Sequence, residues 1–213
     1  MVTPFQPEVA MSLSISPAPS PAALPDGTLV LVFHPAPGRS VTNAALAAAA
    51  AALDGVTVVD MQALYPDGAI DVDREVARLL AASRIVLQFP VQWYATPPLL
   101  KTWQDAVLTR MYYIAYEREG RLLEGTPLLV AATAGNVEEA YRPGGANLMP
   151  LADLLAPLRT TAHRCRLPWS DPFLVYRAGK MSPEDLAASA AGYARHLSGW
   201  RAARCPSPVA GEA

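Results

Sequence analysis

Five short apolar runs, each followed by a stretch with helical spacing, constrain this chain more than any other feature. The runs are Thr28–Phe33, Val56–Asp60, Ile85–Phe89, Pro127–Thr133 and a fifth within Pro172–Arg177. The first is β-rich and apolar on both sides, as a central parallel strand covered on two faces should be. Pro90 ends the third, because proline has no N–H for a sheet ladder. Helical patterns follow at Thr42–Leu53 and at Asp73–Ala82, the latter with Val76, Leu79 and Leu80 on one side. Another begins at Thr96-Pro97, with Thr96 as expected cap and Pro97 as first helical residue; Leu99, Leu100, Trp103 and Val107 give it a core stripe. Leu151–His163 reads as a helix bent or broken near Pro157. The last opens with the capping box Ser182-Pro-Glu-Asp185 and keeps Leu186, Tyr193, Leu197 and Trp200 in helical register. Strand–helix alternation repeated five times predicts a doubly wound α/β domain with a parallel sheet.

At 213 residues and 52% hydrophobic, the chain has enough apolar surface for one sizeable core. Residues 1–26 are Pro/Ser/Ala-rich, and the first basic residue of the chain is Arg39, so they read as a disordered tail and not a secretory signal. Met11 is an alternative translation start. Residues 204–213 read as a frayed end, which leaves 27–203 as the domain. No apolar run reaches the roughly 18 to 20 residues needed to span a bilayer. A net charge of −2 removes general attraction to nucleic acid. Cys165 and Cys205 are too few for a disulfide framework, and with His34, His163 and His196 far apart no metal site is expected. Both points favour a reducing cytoplasm. His163 and His196 read as exposed helix residues, Cys165 as core, and Trp103 as core or dimer interface.

In such a sheet, ligands bind beyond the carboxyl ends of the strands, where strand order reverses. Three loops therefore matter. The first runs His34-Pro-Ala-Pro-Gly-Arg39-Ser40-Val-Thr42-Asn43 into a helix start, where amides and dipole favour an anion. Helix capping by Ser40 or Thr42 is an equal reading. The second is Pro90-Val91-Gln92-Trp93-Tyr94-Ala-Thr96, with two large aromatics that need a partner: a flat ligand, another subunit or the protein's own core. The third is Thr133-Ala134-Gly135-Asn136, followed by Tyr141. Gly135 admits close backbone approach or a tight turn. Together they suit a planar ligand with a phosphate tail. The chain has 16 aromatic residues, of which seven lie between Phe89 and Tyr116, so this segment also draws attention.

The run Gln88-Phe-Pro-Val-Gln-Trp-Tyr-Ala-Thr-Pro-Pro-Leu-Leu-Lys-Thr-Trp-Gln-Asp-Ala-Val107 strongly resembles the flavodoxin-like NAD(P)H:quinone oxidoreductases, which include the ancillary flavoproteins of glutathione-gated potassium efflux systems. Supporting blocks are His34-Pro-x-Pro with Ser40 and Asn43, Leu64-Tyr-Pro-Asp67 with Ile70-Asp71, and Leu154-Leu-Ala-Pro-Leu158 with Thr161-Ala162. The resemblance implies a five-stranded sheet in order 2-1-3-4-5, FMN (with FAD as alternative), NAD(P)H as co-substrate and a quinone or similar acceptor. It also implies a homodimer with the active site at the subunit interface. In such enzymes a hydride passes to flavin N5 and then to the quinone by ping-pong. A partnership with a potassium efflux transporter, at the inner face of a membrane, is the second implied role. Carried over, the phosphate lies on His34, Ser40, Thr42 and Asn43. Pro90, Val91, Gln92, Trp93 and Tyr94 border the ring system, with Trp93 against it. Thr133, Ala134, Gly135 and Asn136 hold the pyrimidine side. Tyr141 is the candidate catalytic residue at the mouth. The clustered Tyr112, Tyr113 and Tyr116 are expected to close the substrate slot or the dimer contact. Three departures stand out. Asn136 replaces a glycine, the glycines around Tyr112–Tyr116 are gone, and no histidine follows Tyr141, so a Tyr–His relay is not carried over.

Overall fold

The computed structural model describes residues 27–36 and 40–203; the expected tails and Arg39 lie outside them. Strands β1 (Thr28–Val32), β2 (Val56–Asp60), β3 (Arg84–Pro90), β4 (Leu128–Thr133) and β5 (Phe173–Val175) form one sheet in the order β2-β1-β3-β4-β5. Every pairing is parallel, with Thr28 opposite Arg84 and Val32 opposite Gln88 across the β1–β3 pair. The chain leaves β1 toward β2 and returns on the other side to β3. The loops after β1 and β3 therefore diverge, which opens a crevice at the carboxyl edge.

Residues alternate across each strand, so one apolar run supplies two cores. Val30, Val32, Val86, Leu129 and Ala131 face α1 (Val41–Ala51) and α7 (Pro183–Ala202), whose Leu46, Tyr193 and Leu197 are buried against them. Leu29, Leu31, Phe33, Leu87 and Val130 face α3 (Val72–Leu80), α4 (Pro98–Thr109) and α6 (Ala156–Arg164). Two short helices complete the set, α2 (Met61–Leu64) and α5 (Gly120–Leu123). Asp60 Oδ1 accepts from Gln62 and Ala63 N–H at 3.0 Å to cap α2, and Asp71 caps α3 through Arg74 N–H. Ser182 caps α7 as expected, its Oγ accepting from Asp185 N–H at 3.1 Å.

Three expectations need correction. Thr96 does not cap α4: Pro97 takes the cap position at φ −58°, ψ 150°, and the helix starts at Pro98. The reason is local, because Pro98 excludes helical geometry from the residue before it. The break near Pro157 falls earlier, where a 3-10 turn over Asp153–Leu155 leads into α6 and Pro157 sits harmlessly in its first turn. His196 is half-buried and not exposed, its ring 5.3 Å from that of Phe173. His163 is exposed, and Cys165 and Trp103 are core residues.

One buried carboxylate ties this second layer together. Glu75 on α3 is fully buried and accepts from Tyr65 Oη–H (2.8 Å), Trp103 Nε1–H (3.1 Å) and Arg78 Nε–H (3.1 Å). Trp103 in turn meets the Phe33 ring edge-on, with centroids 5.8 Å apart. The Leu-Tyr-Pro-Asp block is thus explained by packing: Tyr65 reaches the carboxylate that α3 supplies. Phe33 is the last apolar residue before the first loop, so this network braces the start of the crevice.

Candidate active site

The first loop leaves the sheet where Phe33 N–H donates to the Gln88 carbonyl at 2.8 Å. His34 follows. Its Nδ1 accepts from Ala36 N–H at 3.1 Å, and burial of the ring lowers its pKa. That nitrogen is therefore unprotonated, and the neutral ring keeps its proton on Nε2 as a donor. Ser40 stands at the N-cap of α1 in extended conformation, yet its side chain makes no capping bond, and the first turn carries no acidic residue. Among the described residues, the positive end of α1 is left without a compensating side chain of its own.

Thr42 and Asn43 are both buried beneath this end. Thr42 Oγ1 accepts from Gly179 N–H at 3.2 Å, which draws in the loop after β5. Asn43 Nδ2 donates to Thr133 Oγ1 at 2.9 Å, across 90 positions of sequence. Gln88 Nε2 donates to the Asn43 carbonyl at 2.9 Å. These contacts weld the carboxyl ends of β1, β3 and β4 into one polar floor. Asn43 Oδ1 and Gln88 Oε1 are left buried with no partner among the described residues. Gln88 is absent from the expected site residues, although a fully buried amide inside Ile-Val-Leu-Gln-Phe was the signal for it.

The second loop is a two-residue hairpin. Gln92 and Ala95 exchange both backbone hydrogen bonds at 3.0 Å, and between them Trp93 and Tyr94 adopt φ values of 44° and 64°. Positive φ at both central positions is the type I′ turn, which usually carries Asn-Gly. Bulky aromatics there are strained, and such strain concentrates at functional sites. Trp93 is 93% exposed and Tyr94 48% exposed, so neither belongs to the protein's own core. A ligand or a second subunit remains as their partner. Val91 N–H donates to the Thr133 carbonyl at 2.8 Å and holds this turn beside the third loop.

The third loop runs flat against the one after β5: Ala178 N–H donates to the Ala134 carbonyl and Arg177 N–H to that of Asn136, both at 2.9 Å. The Asn136 side chain turns back onto its own loop, its Oδ1 accepting from Val137 N–H at 2.9 Å. It is spent locally. Gly135 serves no positive-φ turn; a Cβ there would meet only the Ala178 carbonyl oxygen at 4.0 Å. Gly135→Ala is accordingly expected to leave the melting temperature unchanged and to weaken any ligand that fills the space. A thermal melt with and without ligand checks both.

At the mouth, the rings of Tyr141 and Tyr176 lie 5.6 Å apart, and Tyr94 Oη–H donates to Asn147 Oδ1 at 3.3 Å. Burial, and next the neighbouring Tyr94, push the Tyr141 phenol above its ordinary pKa, so it stays protonated near neutrality. Gly145 has no room for a side chain, since a Cβ would lie 2.6 Å from the Ala140 carbonyl oxygen. The segment from Glu138 to Met149 is thereby folded tightly under the mouth.

Within one protomer, Tyr112, Tyr113 and Tyr116 do not join this cluster. Helix α4 runs back along the sheet from the carboxyl edge and ends in a π-helical turn, Arg110–Ile114, beside the amino end of β4. There Tyr112 is buried, its Oη–H donating to the Cys165 carbonyl at 3.0 Å, and Tyr116 donates to Glu124 Oε1 at 2.5 Å. Tyr113 is 71% exposed with the Arg164 guanidinium 5.4 Å over its ring. The direction of α4 is the physical reason: a helix crossing between parallel strands must return to the opposite edge. Trp169 likewise pairs with Leu128 at the amino end of β4, beneath the sheet and away from the crevice.

The cluster therefore offers an uncompensated helix N-terminus, a polar floor with two unpaired acceptors, and an exposed aromatic turn. Among the described residues no group of ligands could hold a metal ion, and no helix is long and apolar enough to cross a membrane. Relatives share most of its length. The chain is 40% identical over 81% of its length to the glutathione-regulated potassium-efflux system ancillary protein KefG of Pectobacterium carotovorum, covering 93% of it. It is 39% identical to the NAD(P)H oxidoreductase YdeQ of Bacillus subtilis, across 80% of this chain and 85% of that one. Among solved structures, the general stress protein 14 of Treponema denticola in complex with FMN superposes with a TM-score of 0.75 at 32% identity, covering 81% of this chain and 98% of that one. The NADPH-quinone reductase of P. pentosaceus gives 0.69 at 27% identity, with 80% and 96% covered. Residues 27–197 match the Flavodoxin_2 model, a flavodoxin-like fold, and the chain belongs to that family.

Proposed function

We propose that this protein is an FMN-dependent NAD(P)H:quinone-type oxidoreductase. The observation that carries the reading is the strained Trp93-Tyr94 turn standing exposed beside the uncompensated start of α1. Similarity to relatives named as NAD(P)H oxidoreductase, NADPH-quinone reductase and FMN complex supports it. The residues present fit FMN. Its phosphate matches the open amides of α1, Ser40 and His34 Nε2–H. The ribityl hydroxyls are donors of the kind that Asn43 Oδ1 lacks. Thr42 and Asn43, engaged with Gly179 and Thr133, act from behind by holding the cradle in shape.

Two-electron exchange between NAD(P)H and a quinone is chemistry that bound FMN supplies. The chain orients and shields. Pro90, Val91, Gln92, Trp93 and Tyr94 border the ring system, with the Trp93 indole against it. Thr133, Ala134, Gly135 and Asn136 lie along the pyrimidine side, and Gly135 leaves room for close approach. Protonated Tyr141 supplies a hydrogen-bond donor at the mouth. Neither a nucleophile nor a metal is required.

The decisive experiment adds FMN to purified protein and follows flavin absorbance and NAD(P)H-dependent reduction of menadione. Saturable uptake with turnover supports the reading; protein that takes up neither FMN nor FAD contradicts it. Ser40→Asp is expected to weaken FMN retention at least tenfold, since a carboxylate would face the phosphate. Equilibrium dialysis checks this, and unchanged affinity rules out the phosphate placement.

Two finer assignments belong to the same reading. The exposed Trp93-Tyr94 turn and the Tyr113 surface are suited to a homodimer, in which Tyr112, Tyr113 and Tyr116 lie near the partner's mouth and not their own. Light scattering in solution tests it. The likeness to KefG favours a second role, as a cytoplasmic protein that docks at the inner face of a membrane on a potassium efflux transporter. Co-purification with such a transporter separates that role from catalysis alone.

A further inference from the structure

The amide of Gln88 does little for the fold. It lies in the central strand β3, opposite Val32 of β1 and Ala131 of β4, and is fully buried. Side chains alternate along a strand, so Gln88 shares the face of Val86, toward α1. Its Oε1 makes no hydrogen bond among the described residues, and burying a half-satisfied amide is less favourable than burying methionine or leucine in its place. Its Nε2 donates to the Asn43 carbonyl at 2.9 Å. That carbonyl also belongs to the helical ladder of α1, so losing the amide strands no acceptor.

Helix α1, by contrast, needs holding. Its buried residues are Thr42, Asn43, Leu46 and Ala50, of which Leu46 alone is large and apolar, and most of the remainder is alanine. A surface without ridges gives little packing to fix a helix along its axis. Hydrogen bonds at the first turn take over that task. Gly179 N–H grips Thr42 Oγ1, and Thr133 Oγ1 grips Asn43 Nδ2. Both hold side chains. Of the three bonds, the one from Gln88 alone holds the main chain of α1, and it does so from the centre of the sheet.

We propose that Gln88 is a positioning residue for the phosphate cradle: through the Asn43 carbonyl it fixes the start of α1, so that the open N–H groups there stay aimed at the flavin phosphate. The assignment rests on the FMN reading above and adds to it a residue that acts from beneath the site without touching the ligand. The ring side of the crevice does not depend on this bond, because Val91 N–H is tied separately to the Thr133 carbonyl. Gln88 therefore serves phosphate affinity, and the fold would tolerate an apolar side chain in its place.

The test uses the full chain with FMN and riboflavin as paired probes, since riboflavin lacks only the phosphate. Both affinities are read by quenching of flavin fluorescence, and wild type is expected to bind FMN the more tightly. Gln88→Met keeps the length of the side chain without the amide. Its ratio of FMN to riboflavin affinity is expected to fall roughly five- to tenfold, with riboflavin affinity changing less than about twofold. The melting temperature without flavin should stay level or rise, and Gln88→Leu should behave alike. Folded variants that keep the wild-type ratio overturn the assignment alone. Variants that melt far lower or no longer fold overturn it too, because the amide would then serve the fold. Wild-type protein that binds neither flavin, or both alike, overturns the phosphate placement itself, and this assignment with it.

Discussion

Glu75→Ala is expected to destabilise the fold by about 3–5 kcal/mol, because it strands buried donors that have no water to turn to. Tyr65 Oη, Trp103 Nε1 and Arg78 Nε all end on this one carboxylate, and the first two are buried with it. For a chain of this size the melting temperature should drop by roughly 6–20 °C. Glu75→Gln keeps an acceptor oxygen and should lose less than half as much. The same network predicts an alkaline limit. Burial first, and then the hydrogen bond to Glu75, push the Tyr65 phenol up to about 12. A phenol whose pKa is raised on folding contributes stability in full below its unfolded pKa of about 10, and that contribution is lost as pH rises to about 12. Denaturant titrations from pH 9 to 12 should show this decline in wild type and a shallower one in Glu75→Ala. Equal slopes would mean that Tyr65 is not the group responsible.

The second large effect has two signs. Replacing Trp93-Tyr94 by Asn-Gly installs the residues that a type I′ turn prefers. Relief of left-handed strain should stabilise the protein by about 1–2 kcal/mol. The same change removes the exposed indole that the proposed function sets against the flavin. Loss of that contact should weaken FMN by about 2–3 kcal/mol, roughly 30- to 150-fold. Thermal melts and flavin titrations on one sample read both numbers. A variant that is no more stable would show that the aromatics fit the turn without strain. One that binds FMN as tightly as wild type would show that Trp93 serves another partner. Opposed changes are what a site that trades stability for binding should give.

The fold was largely legible because its signals are local. A strand apolar on both faces needs cover on both sides, and the run Thr28–Phe33 around β1 carries that pattern in six consecutive residues. Capping at Ser182 was legible for the same reason, as serine, proline and acids stand within four positions. Thr96 misled because two prolines in a row compete for one geometry, and the second decides where the first can lie. The candidate loops were legible as well, since they follow from strand direction. Their internal assignments were less so. The resemblance sets Asn43 on the phosphate, whereas its amide nitrogen is committed to Thr133; nothing within the apolar run around Gln88 signals that its amide will reach the Asn43 carbonyl. Aromatic density draws Tyr112, Tyr113 and Tyr116 together in sequence, but it carries no information on which edge of the sheet a helix end reaches. Their distance from the crevice of their own protomer is decided by the direction of α4.

The sequence by itself determined the alternation of strand and helix, the two-faced burial of the sheet and the edge where a ligand belongs. These follow from periodicity and propensity, which neighbouring residues encode. Only the tertiary structure decided the left-handed turn that exposes Trp93 and the bond from Asn43 to Thr133. It alone fixed the meeting of Tyr94 with Asn147, 53 positions away. The physical reason is that a hydrogen bond selects its partner by distance and direction in space, and those are settled after the layers have packed.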